Sequence, residues 1–156
     1  MPKPRAPWTV PIAQGPLRPA ADRAFAVAVA VVAAVCGAAL ARVQPDARGH
    51  GTHEQLGLDP CGWPIHYGIP CPTCGCTTAA CLVVHGRPFS ALATQPFGAV
   101  VALFGLAVGV HALVCLVRGR SFADLLLRIP FWRLVLGFVV LFFVGWGTTW
   151  LTWEGR

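Results

Sequence analysis

Three long apolar stretches constrain this chain more than any other feature. They run over Ala24–Ala41, Phe97–Val117 and Leu134–Leu151, and none of them contains Lys, Arg, Asp or Glu. A helix crossing a bilayer needs about 20 mostly apolar residues. All three fit, the first and third at the short end. Only 12% of the 156 residues are charged, and the mean hydropathy is +0.64. Soluble domains carry about 25% charged residues, so composition and patterning agree on an all-α integral membrane protein with three transmembrane helices.

The net charge of +6 belongs to the same picture. No basic run is interleaved with exposed aromatics, so no nucleic-acid partner is expected. Lys3, Arg5, Arg18 and Arg23 precede the first span, and Arg118, Arg120, Arg128 and Arg133 separate the second from the third. The long first loop carries only Arg42, Arg48 and Arg87, offset by Asp46, Glu54 and Asp59. The positive-inside bias then predicts a cytoplasmic N-terminus, with the long loop facing outward from the cell inner (plasma) membrane. Ala39-Leu40-Ala41 has the small-x-small form of a cleavage site. The preceding apolar run exceeds the usual h-region of about 7–15 residues, and an uncleaved anchor is the expectation.

Boundaries follow from these spans. Residues 1–23 hold six prolines and read as a disordered tail. Segment 24–41 is the first span, 42–96 an outward loop, 97–117 the second span, 118–133 a cytoplasmic amphipathic loop, 134–151 the third span and 152–156 a tail. Within 118–133, Ser121 and Asp124 stand in capping-box register, and Phe122, Leu125, Leu126 and Ile129 recur at helical spacing. Trp132, Trp146, Trp150 and Trp153 lie near the ends of the third span, as interfacial aromatics do. Gly105-x-x-x-Gly109 matches the small-residue pattern of packed membrane helices. His111 and Cys115 lie inside the second span; the expected partner of His111 is a neighbouring helix.

The chemistry is concentrated in the long loop, in "GIPCPTCGCTTAACLVVHG" over residues 68–86. Thr77 and Thr78 are placed to cap a helix of about ten residues that Gly86 ends. Such a helix is too short to cross and is expected at the interface or in a shallow re-entrant position. His50 and His53, upstream, read as solvated loop residues.

Four uses of the cysteines compete. Zinc takes four tetrahedral ligands from thiolate and imidazole. Cys71-x-x-Cys74 pairs two sulfurs across a turn, and Cys81 and His85 share a helix face at i and i+4. Cys71, Cys74, Cys81 and His85 are therefore the candidate zinc ligands, with Cys61 or Cys76 as substitutes. Cys71 and Cys74 ahead of a helix also suit a membrane thiol–disulfide protein, since unpaired amides favour thiolate. An outward loop suits a disulfide, such as Cys61 to Cys71 or Cys74. Plain packing is the fourth use. No carboxylate pair, nucleophile–base set or phosphate loop is visible, so the reading leans against an enzyme.

The segment "CGWPIHYGIPCPTCGCTTAACLVVHGRPFSALATQPFGAVVAL" resembles the bacterial membrane-protein family known as domain of unknown function 2752. The resemblance falls on Cys61, Gly68, Pro70, Cys71, Pro72, Cys74, Gly75, Thr77, Gly86, Gln95 and Pro96. Many members carry arginine after the motif threonine, where this chain has Thr78. The resemblance implies a membrane protein and no particular activity. The leading expectation is a small, non-enzymatic polytopic membrane protein with a structural or partner-binding cysteine loop. Its partners would be the bilayer and a membrane protein or a second copy. Metal-binding and thiol–disulfide readings are the alternatives.

Overall fold

The computed structural model describes residues 19–124 and 130–153. The described residues are helical or irregular, with no strand. Three helices are long and apolar enough to cross a membrane: α1 (Pro19–Ala41), α5 (Pro96–Arg118) and α6 (Phe131–Leu151). Between α1 and α5 lie a 3-10 turn (Thr52–Leu56), α2 (Gly62–Tyr67), α3 (Cys76–Val84) and α4 (Pro88–Thr94). The chain is a multi-pass membrane protein. Its spans leave Val32, Leu106, Leu136 and many similar side chains exposed, which water would not tolerate over so continuous a surface and lipid does.

Helix α1 starts five residues before the expected span, inside the stretch read as tail. Proline suits the first helical turn, and Asp22 places negative charge by the helix N-terminus. Asp22 also explains the burial of that end. Its carboxylate accepts hydrogen bonds from the N–H groups of Phe122 (3.0 Å) and Ala123 (2.9 Å), just beyond α5. The chain after α5 is thus capped across the fold by Asp22. Leu125, Leu126 and Ile129 of the expected amphipathic helix lie outside the described residues.

Helix α5 packs against both α1 and α6. The Gly105-x-x-x-Gly109 pattern is half used. A Cβ at Gly109 would stand 2.6 Å from the Ala33 Cβ of α1, whereas nothing lies within 4 Å of one at Gly105. His111 finds its partner on its own helix: Nε2 lies 3.5 Å from the Cys115 Sγ one turn on. Rings of Phe97, Phe104, Phe138 and Phe142 meet edge to face between α5 and α6.

Helix α3 carries the remaining core. Ala79, Leu82 and Val83 bury themselves with Ala91 of α4 and Ala99 of α5, so this short helix lies against the head of α5 and the end of α1. Its start differs from the expected threonine cap. Gly75 is the N-cap residue at φ +86°, with no side-chain cap, and Thr77 and Thr78 lie inside the helix. A Cβ at Gly75 would also meet the Gly49 carbonyl oxygen at 2.9 Å. Gln95, just before Pro96, caps α5 instead, accepting from the Gly98 N–H through its side chain.

Candidate metal centre

The cysteine turn is built by proline and held by the third span. Pro70 is fully buried, and Pro70 and Pro72 fix φ on either side of Cys71. The Cys74 N–H closes a turn onto the Cys71 carbonyl at 3.0 Å, and the Cys76 N–H does the same to Thr73 at 3.0 Å. The Trp146 indole N–H donates to the Pro70 carbonyl at 3.2 Å, and that of Trp153 to the Gly68 carbonyl at 3.0 Å. Both ends of the segment leading into the motif are therefore pinned, one by α6 and the other by the chain just after it. Beneath the turn, the hydroxyls of Thr52 and Thr78 meet at 2.8 Å in a fully buried contact.

This scaffold brings Cys71 and Cys74 to Cys61, the residue that opens α2. The Sγ atoms of Cys61, Cys71 and Cys74 all lie within 4.8 Å of one another. Cys74 and Cys61 are 3.9 Å apart, and the Cys71 N–H points at the Cys74 sulfur at 3.3 Å. No disulfide links the seven cysteines, all of which lie among the described residues.

Cys71 and Cys74 differ electrostatically. Burial pushes the Cys71 thiol up, but hydrogen bonds with the Thr73 hydroxyl and with Cys74 outweigh it and leave Cys71 below the ordinary thiol range. Burial pushes Cys74 strongly up, and the neighbouring Cys71 adds to the rise. Cys71 is thus the first of the pair to become a thiolate.

The expected four-ligand set does not come together. Cys71 and Cys74 join Cys61, whereas Cys81 turns to the other side of α3. The Cys81 Sγ lies 3.5 Å from the carbonyls of Leu40 and Val43 at the end of α1. It is fully buried there, and the expected pair does meet, with the His85 Nδ1 3.6 Å from the Cys81 Sγ and 2.9 Å from the Cys81 carbonyl, but apart from the other two sulfurs. Residues at i and i+4 share a helix face, but that face is packed on α1. Cys76 is a packing residue: a Cβ at Gly98 of α5 would stand 2.6 Å from its Cα. Burial raises its thiol to about 11, with the Cys71 charge second.

A cavity of about 540 Å³ opens in front of the cluster. The three cysteines share its wall with Arg48, His50, His53, Glu54 and Thr77, among others. His50 and His53, read from sequence as solvated, therefore face the site. Arg48 joins Asp46 at 2.8 Å and Glu54 at 3.1 Å.

No match to the chain is found among curated proteins or among solved structures. Residues 61–110, from the first cysteine of the cluster into the middle of α5, match the family model described as Protein of unknown function (DUF2752), the family the cysteine motif resembles.

Proposed function

We propose that this protein binds a thiophilic metal ion, zinc in the first instance, through Cys61, Cys71 and Cys74 at the surface of the membrane it spans. The convergence of the three sulfurs within 4.8 Å carries the reading. Two sulfurs each about 2.3 Å from a tetrahedral ion lie about 3.8 Å apart. Cys61 and Cys74 already stand at 3.9 Å, and Cys71 lies within 4.8 Å of both. Thiolate donors favour zinc, monovalent copper or iron–sulfur chemistry over hard cations.

The role assigned is metal binding without catalysis. The basic residues flanking the far ends of the spans orient the cysteine loop outward from the inner membrane. In that position the exposed Trp63, Ile65 and Tyr67 of α2 offer a surface to lipid or to another membrane protein.

The difference in acidity between Cys71 and Cys74 favours a second reading, a thiol–disulfide pair. The two readings separate in one preparation, purified anaerobically in detergent without a metal-binding tag. Metal equivalents and free thiols are counted for the unaltered chain and for Cys71→Ser. The metal reading requires about one equivalent of metal, lost in the variant. A metal-free protein in which Cys71 and Cys74 interconvert between thiol and disulfide supports the second reading.

A further inference from the structure

The three sulfurs form a trigonal set that the described part of the chain does not complete. No imidazole nitrogen or carboxylate oxygen of the described residues joins them within 4.8 Å. The donors on the cavity wall are His50, His53 and Glu54; none joins the cluster at that distance, and each has one polar atom held elsewhere. His50 Nδ1 lies 3.2 Å from the Arg48 carbonyl, and its ring stands 4.8 Å from that of Trp153. His53 Nε2 lies 3.2 Å from the Asp59 carbonyl. Glu54 holds Arg48 at 3.1 Å. In front of the sulfurs stands the 540 Å³ cavity, many times the volume of about 30 Å³ that one water takes up in the liquid.

From this geometry we infer that the metal site is open: three thiolates hold the ion, and its fourth position takes a small neutral donor, water or an imidazole-type nitrogen, that enters through the cavity. The inference rests on the metal reading above and adds the ligand. Structural zinc sites close all four positions with protein, whereas sites that exchange ligands keep one for water or substrate. Charge sets the ligand class. Three thiolates around a divalent ion already carry a net charge of −1. Arg48 and Glu54 offset one another on the wall, and Asp46, paired with Arg48 just beside the cavity, adds a further −1. An anion entering such a site meets repulsion, and a neutral nitrogen donor does not.

The test uses the full chain in detergent, loaded anaerobically with Co(II), whose absorption bands report its ligands. Imidazole and azide are titrated separately. The inference predicts thiolate-to-cobalt charge transfer and a saturable shift of the d–d bands with imidazole. Azide should need at least tenfold higher concentration, and His53→Gln should leave the starting spectrum unchanged. Cobalt bound through sulfur with no response to imidazole overturns the open site while the metal reading stands. A starting spectrum altered by His53→Gln overturns it too, because His53 then fills the fourth position. Azide acting at or below the imidazole concentration overturns the ligand class. Failure of Co(II) and Zn(II) to bind at all removes the metal reading, and this inference with it.

Discussion

The indole of Trp146 donates a 3.2 Å hydrogen bond to the carbonyl of Pro70, the residue immediately before Cys71. A membrane-spanning helix thereby fixes the backbone that delivers a candidate metal ligand, across 76 positions of sequence. Pro70 is fully buried, so its carbonyl has little access to water as a substitute partner.

Trp146→Phe keeps a large apolar ring and removes the donor. An unmade bond to a buried acceptor costs about 1–3 kcal/mol. The expected outcome is a several-fold loss of metal affinity, with membrane insertion retained. Competition with a chromogenic chelator measures it, and an unchanged affinity would show that the indole bond does not position Cys71.

Gly98→Ala sets backbone against backbone, because the new Cβ would stand 2.6 Å from the Cys76 Cα. Overpacking of this kind costs about 1–3 kcal/mol. Gly105→Ala meets nothing within 4 Å and removes a helix-weakening glycine, a gain of about 0.5–1 kcal/mol. Thermal melts in detergent should therefore move in opposite directions for two glycines of the same span.

Asp22→Ala leaves the amides of Phe122 and Ala123 without their acceptor, at about 1–3 kcal/mol. Asp22→Asn keeps one carbonyl oxygen and should lose less. Hydrogen exchange at the two amides is the readout, and both should exchange faster in Asp22→Ala.

The Arg48 hydrogen bond holds the Asp46 carboxyl below the usual carboxylate range, against an opposing effect of burial. A depressed folded-state value means that the pair's contribution is full above the unfolded pKa, about 3.9, and fades as pH falls through the folded value. Carbon-detected titration of Asp46 should give a midpoint below 3.9. Arg48→Gln should return it toward the ordinary range.

The spans, the helix after the motif and the proline start of α5 were legible because each depends on local composition: runs of apolar residues, glycine and proline at the ends. The site was legible only in part. The turn Cys71-x-x-Cys74 brings its sulfurs together locally, but the third sulfur comes from Cys61, at a spacing no helix or turn dictates. Cys81 and His85 had the right helical register, but register gives the face and not what covers it. Here the end of α1 covers it, through the carbonyls of Leu40 and Val43. The threonine cap failed for a similar reason. Thr78 is drawn inward by Thr52, 26 residues earlier, leaving the helix start to a left-handed glycine. A carboxylate reaching from Asp22 to Phe122 is equally silent in sequence, since the two meet only once α1 packs on α5.

The most direct measurement is the metal stoichiometry of Cys61→Ser beside that of Cys81→Ser, both purified anaerobically and checked for intact helical content. Cys61→Ser should lose the metal, and Cys81→Ser should keep about one equivalent, because Cys81 serves the packing of α3 on α1. Full retention in Cys61→Ser, or selective loss in Cys81→Ser with the fold intact, would contradict the three-thiolate site.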